Sequence, residues 1–156
     1  ICKEKLELLQ DHLMLFFTGI SRNSSDIAAE QIKEIPNKRK ELKAMMGMVD
    51  DSINILNGDI NGIEDFGKLL HEAWEIKRKI TSRITTSTID DIYKTARNEG
   101  ALGGKILGAG GGGFMLLFVP PEKKERIRKK LNKLVYVPFQ FESLGTQTIH
   151  YAQQDF

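Results

Sequence analysis

The chain has 156 residues, 40% of them hydrophobic, with a formal net charge of +2. That length is one ordinary domain with apolar residues enough for a core, and so small a charge argues against a polyanionic partner such as nucleic acid. A single cysteine, Cys2, excludes an internal disulfide and fits a reducing, cytoplasmic setting, while no apolar run approaches the roughly twenty residues that cross a bilayer, so no membrane contact is expected. The first residue is Ile1 rather than an initiator methionine, which reads as processing or as a cut from something longer.

In chain order, LMLFFTGI at 13–20 is apolar on both alternating faces and is bounded by a Gly and a Ser/Asn cluster. This predicts a strand in the middle of a sheet. SRNSSD then offers several N-caps for a helix carrying Ile27, Ala28, Gln31 and Ile32, and Pro36 marks the next break. From 38 to about 56, Leu42, Met45, Met46, Val49, Ile53 and Leu56 form one apolar stripe at helical spacing. NGDING is a turn signal, and Asn61 with Glu64 resembles a capping box opening a helix whose stripe is Phe66, Leu69, Leu70, Ala73, Trp74 and Ile80. A shorter helix from Thr88 holds Asp90 and Asp91 in its first turn, where the dipole favours negative charge, and ends at Gly100.

The period changes again at 103. A short strand over 103–107 leads into a glycine run, and FMLLFV at 114–119 is apolar on both faces. Pro120 and Pro121 stop that strand and start a helix with Ile127, Leu131 and Leu134 inward. The segment 135–151 reads as one bent strand or two short ones, with the mixed stretch 146–151 at a sheet edge. The expected fold is therefore α+β: a ferredoxin-like split βαββαβ antiparallel sheet with extra helices inserted after the first strand. Its first and third strands are central, and its second and fourth lie at the edges.

The glycines carry the strongest chemical signal. Gly108, Gly110 and Gly113 satisfy GxGxxG, yet they run into a strand rather than from a strand into a helix, and the acid expected about twenty positions on is replaced by Lys133. No GK followed by Ser or Thr closes a Walker loop. A tight turn needs one or two glycines, and each further Gly costs about 0.5 to 1 kcal/mol of chain entropy relative to Ala. Four in a row, Gly110, Gly111, Gly112 and Gly113, point first to a loop that a phosphate or another ligand approaches, its free amides facing anionic oxygens. Close packing against a neighbouring domain comes second, and a plain turn third.

LGAGGGGFMLLFV resembles the third conserved motif of the GHMP kinases. LMLFFTGISRNSSDIAAEQ followed by GGKILGAGGGGFMLLFVPPEKKERI is similar to the C-terminal half of that superfamily's sugar-kinase branch, the one that acts on heptose 7-phosphate. The resemblance runs through nearly the whole chain in the same order. It implies one C-terminal GHMP kinase domain spanning 1–156, with the ATP-binding N-terminal domain of the same polypeptide absent from this chain. It further implies transfer of the γ-phosphoryl group of ATP to a hydroxyl of a sugar phosphate, with ATP and Mg²⁺ used by the full-length enzyme and neither held tightly by this part.

On that resemblance Gly108, Ala109, Gly110, Gly111, Gly112 and Gly113 form the nucleotide phosphate loop. Thr18, Gly19, Ser21 and Arg22 match the TGISR element at the opening of the family's C-terminal domain and are candidates for substrate contact. Arg22 is suited to a bidentate grip on phosphate, or alternatively to a surface ion pair. Lys105, just before the loop, can reach an anion or stay solvated. Leu107 stands where mevalonate kinases often carry Thr or Ser. The family's PxxxGLGSS loop is missing, and its catalytic and metal-binding carboxylates lie mainly in the other half, so no catalytic or metal residue is expected here and the chain alone should be inert.

Two other classes remain open at this point. A βαββαβ domain can serve as a stand-alone small-molecule sensor, and another GHMP activity, galactokinase- or mevalonate kinase-like, fits the same motif. The basic stretch PEKKERIRKKLNKL lacks interleaved aromatics and reads as a solvated helix face rather than a nucleic-acid site. His12, His71 and His150 have no metal-ligand spacing, and Asp50 and Asp51 read as a helix's solvent face.

Overall fold

A computed structural model describes residues 1–142 and 144–148. In chain order the elements are α1 (Lys3–His12), β1 (Leu13–Phe17), α2 (Ser24–Glu34), α3 (Arg39–Asn57), α4 (Ile63–Lys77), α5 (Ser87–Asn98), β2 (Gly103–Ile106), β3 (Phe114–Phe118), α6 (Lys124–Lys130) and β4 (Val135–Tyr136). The four strands form one antiparallel sheet in the order β2-β3-β1-β4. Strands β1 and β3 are thus central and β2 and β4 are the edges, as the apolar patterns require. The register pairs Leu13 with Phe118 and Phe17 with Phe114, and Gly103 with Phe118 on the other side of β3.

The central strands bury both faces. Met14, Phe16, Met115 and Leu117 join Ile84, Ile89, Ile92, Ala96 and Ile127 in one core against α5 and α6. Leu13 and Phe118 join Leu9, Ile63, Phe66 and Leu70 in a second core, beneath α1 and α4. Each fully buried Leu, Ile, Met or Phe among them contributes about 1.5 to 3 kcal/mol of transfer free energy. The second face is covered only toward the Leu13–Phe118 end. At its other end the rings of Phe17 and Phe114 meet at 5.3 Å, and Phe114 remains 39% exposed. That open end adjoins the glycine loop.

Helix α4 lies along edge strand β2 and feeds both cores, through Trp74 on one side and Ile63, Phe66 and Leu70 on the other. The approach is close because it is glycine on glycine. A Cβ built at Gly103 meets the carbonyl oxygen of Gly67 at 2.0 Å. A glycine in mid-helix costs about 1 kcal/mol relative to alanine, and this packing is what offsets it.

Several boundaries differ from the sequence reading. Helix α1 has no counterpart there, because its inward face holds polar residues: Lys5 and His12 are buried with Leu9. The Lys5 ammonium, 1% exposed, donates to the carbonyls of Ile55 at 2.5 Å, Gly58 at 3.2 Å and Asp59 at 2.6 Å. It closes the C-terminal end of α3, where a positive charge meets the negative end of the helix dipole. Lys5→Met is expected to cost about 2 kcal/mol, since those carbonyls lose their charged partner. Urea unfolding reads this as a lower midpoint at unchanged slope.

The α3 stripe splits: Leu42, Met45 and Leu56 pack inward, whereas Met46, Val49 and Ile53 are half or more exposed. The Asn61–Glu64 capping box does not form. Instead the Asp59 carboxylate accepts from the Asn61 amide at 2.7 Å and caps a short 3-10 turn ahead of α4. Helix α2 is capped by Asn23, and α5 starts at Ser87 behind the Thr86 hydroxyl. Gly100, at φ +104°, ends α5 in a Schellman arrangement, with Ala101 N–H donating to Ala96 and Gly100 N–H to Arg97. The edge strand β4 is Val135–Tyr136 rather than 146–151. Residues 146–148 are not in a strand, and 149–151 lie outside the described residues.

Candidate phosphate-binding site

Between β2 and β3 the chain must turn while leaving its backbone uncovered, and glycine makes this possible at four left-handed positions. Gly108, Gly110, Gly111 and Gly113 have φ of +75°, +110°, +74° and +83°, a region that costs other residues roughly 1 to 2 kcal/mol each. Room is the second reason. A Cβ at Gly110 meets backbone atoms of Ile84 at 2.7 Å, and one at Gly112 meets the Ile20 carbonyl at 2.5 Å. At Gly108 and Gly113 nothing lies within 4 Å. The bare backbone therefore serves two purposes: its middle is pressed against this chain's own segments, and its two ends are open.

Neighbouring elements hold the loop by its polar groups. Gly111 N–H donates to the Ile84 carbonyl at 2.8 Å and Gly113 N–H to that of Ile20 at 2.9 Å. The Thr18 hydroxyl donates to Gly113 O at 2.8 Å, the Gln31 amide to Ala109 O at 2.6 Å, and the Lys77 ammonium to Gly108 O at 2.7 Å. Among the described residues, the amides of Gly108, Ala109, Gly110 and Gly112 donate to no protein acceptor. Carbonyls tied back and amides left free give a cradle suited to anionic oxygens.

A depression of about 260 Å³ opens at this cradle, lined by Phe17, Ile20, Ser21, Arg22, Ser24 and the loop. Arg22 lies along it: a Cβ at Gly111 would meet Arg22 Cδ at 3.3 Å. Its guanidinium has no carboxylate partner among the described residues, so its donors remain free for an anion. The other candidates separate. Ser21 lines the depression; Gly19 makes an exposed turn at φ +73°; Thr18 is buried as the loop's brace. Lys105 does not line the depression. It faces a neighbouring cleft with Met45, Ala73, Trp74 and Lys77.

Gln31 and Lys77 hold the loop, and motif reading passes over both. Gln31 carried a signal, falling among the inward positions of its helix. Lys77 carried one too, a charge one turn beyond Trp74 on the apolar side. Elsewhere His71 Nδ1 meets the Tyr93 hydroxyl at 2.7 Å, burial holding the imidazole below its ordinary value and raising the phenol to about 12. Tyr93 therefore stays protonated, and which of the two groups donates follows the tautomer of the ring. Among the described residues, no group of three or more His, Cys, Asp or Glu is placed to hold a metal ion, and no helix is long and apolar enough to cross a membrane.

Residues 54–137, more than half of the chain, match the family described as GHMP kinases C terminal. The chain belongs to the GHMP kinase family. GHMP kinases as a class use ATP and Mg²⁺. The D-glycero-alpha-D-manno-heptose 7-phosphate kinase of Campylobacter jejuni is 35% identical to this GHMP chain over 128 residues, covering 80% of it and 37% of the relative. The mevalonate kinase of Methanocaldococcus jannaschii is 34% identical over 103 residues, covering 66% and 30%. The crystal structure of the Methanococcus jannaschii mevalonate kinase superposes with a TM-score of 0.70 at 29% identity, covering 88% of this chain and 42% of that one. This GHMP domain thus spans about a third of the length of these two curated relatives, 37% and 30%.

Proposed function

We propose that the chain is the C-terminal domain of an ATP-dependent sugar kinase whose acceptor is a sugar phosphate of the heptose 7-phosphate kind, completed by an N-terminal domain of the same polypeptide. The observation that carries this reading is the cradle: four free amides beside an unpaired Arg22, at the open end of the sheet. Phosphoryl transfer needs positioning and neutralisation of charge rather than covalent help from the protein. In this reading the amides of Gly108, Ala109, Gly110 and Gly112 hold phosphate oxygens of the nucleotide, and Arg22 and Ser21 hold the transferring group. The sugar hydroxyl oxygen bonds to the γ-phosphorus as the bond to the β-phosphate bridging oxygen breaks. The hydroxyl proton leaves to a base outside this chain, and Mg²⁺, when bound, offsets charge on the phosphates. The heptose preference is supported by the 35% identity to the Campylobacter jejuni enzyme, whereas the structural likeness to mevalonate kinase makes mevalonate the second acceptor to assay.

The test compares residues 1–156 with the polypeptide obtained by reading the coding sequence upstream of Ile1. The longer protein is expected to phosphorylate heptose 7-phosphate with ATP, and the 156-residue chain to be inert. Sustained turnover by 1–156 alone would overturn the division between domains. A longer protein active on mevalonate but not on sugar phosphates would overturn the acceptor, and an upstream frame that stops would leave a stand-alone ligand-binding domain.

A further inference from the structure

Next to the cradle, two lysines meet without a carboxylate between them. Lys77 is the last residue of α4 and Lys105 lies within β2; with Met45, Ala73 and Trp74 they line one narrow cleft. Lys105 also lines a wider apolar groove of about 240 Å³ between α3 and α4. Lys77 donates to Gly108 O at 2.7 Å, so the cleft and the glycine loop share a wall. Among the described residues the Lys105 ammonium makes no hydrogen bond or ion pair, and Lys77 makes no ion pair.

The arrangement is costly as it stands. Burial and then the like charge of Lys105 hold the Lys77 ammonium below its ordinary value, with no acidic group acting in the opposite sense. Position at the end of α4 and the bond to Gly108 explain Lys77, but they do not explain a second half-buried ammonium beside it. Trp74, 1% exposed, walls the same cleft, and its buried indole N–H has no acceptor. Two ammonium groups on one cleft that holds no carboxylate describe a seat for a dianion.

We infer that Lys77 and Lys105 form a phosphate-monoester pocket, separate from the amide cradle and coupled to it through Gly108. The choice of phosphate over other dianions rests on the kinase reading. The ester can come from either reactant, as the acceptor's own phosphate or as a phosphate of the nucleotide, and the remainder of the ligand extends into the groove that Lys105 borders.

The chain's one tryptophan, Trp74, lies in the wall of this cleft and reports on it without any need for turnover. Inorganic phosphate titrated into the 156-residue chain, at ionic strength held constant with sodium chloride, is expected to change Trp74 fluorescence saturably. Lys77→Gln and Lys105→Gln should each weaken that binding about 10-fold or more, the loss of one charge-assisted hydrogen bond, while Lys105→Arg retains it. Lys129→Gln, at a side chain 77% exposed in α6, should leave it unchanged. Because the Lys105 side chain bonds to nothing in the fold, its variants remain folded controls if Lys77→Gln does not fold. No saturable change, or the same change in the Lys105→Gln chain, overturns the pocket. Glucose 6-phosphate and ATP with Mg²⁺ then separate the sources: a sugar monophosphate that still binds in the presence of ATP assigns the pocket to the acceptor, and displacement of phosphate by ATP assigns it to the nucleotide. A longer protein that transfers phosphate while its Trp74 ignores phosphate keeps the kinase and discards the pocket. A pocket that binds phosphate in a protein that never binds ATP does the reverse.

Discussion

Gly112→Ala in the proposed full-length kinase is expected to lower phosphoryl transfer about 100-fold, the scale set by misplacing a reacting group by about 1 Å. Gly112 is not in the left-handed region, so alanine has no conformational objection there. The objection is steric: its methyl would sit 2.5 Å from the Ile20 carbonyl, which also accepts the Gly113 amide at 2.9 Å. The loop must lift from Ile20, and with it the free amides of Gly110 and Gly112. Steady-state kinetics with ATP varied reads the loss. A variant within about threefold of the parent in kcat/KM would remove the loop from the reaction.

Gly103→Ala is expected to destabilise the domain by about 3 kcal/mol or to prevent folding, at the upper end of what overpacking does. The added methyl meets Gly67 O at 2.0 Å and the His71 amide at 2.8 Å. Both are backbone, so no side chain can swing aside and α4 as a whole must retreat from β2. Urea unfolding followed by far-ultraviolet circular dichroism measures it. Gly47→Ala is the contrast, because nothing lies within 4 Å of that position in the interior of α3. It should stabilise by about 0.4 to 1 kcal/mol through helix propensity and a less flexible unfolded chain. A Gly103→Ala chain within about 1 kcal/mol of the parent would show that the helix and sheet are not pressed together as the structure has them.

What could be read from sequence follows from which signals are local. Strands β1 and β3 were legible because LMLFF and FMLLF are apolar on both alternating faces, and that alone set them at the centre of the sheet. The glycine loop was legible because four consecutive glycines exceed what a turn needs. Helix α1 was not, since Lys5 and His12 interrupt its buried face and Lys5 is satisfied by carbonyls about fifty residues away. Strand β4 was displaced in the reading because it has only two residues, one of them 62% exposed, and no periodicity can be counted over two residues. Within the site, Ser21 and Arg22 stood out through their neighbours in sequence. Lys77 reaches Gly108 across thirty-one positions, and nothing local to α4 announces that reach. The exposed half of the α3 stripe, Met46, Val49 and Ile53, shows the opposite limit: apolar spacing marks a face but does not say what the face meets.

The glycine loop does not hold its own shape. Its carbonyls are gripped by Thr18 from the segment after β1, by Gln31 from α2 and by Lys77 from α4, and its amides lean on Ile20 and Ile84. Transplanting the seven residues LGAGGGG into another antiparallel sheet would therefore import a flexible tether without the proposed anion site. The portable unit is the loop together with its three outside anchors, and an engineer who moves one without the others should expect to recover the turn and lose the binding.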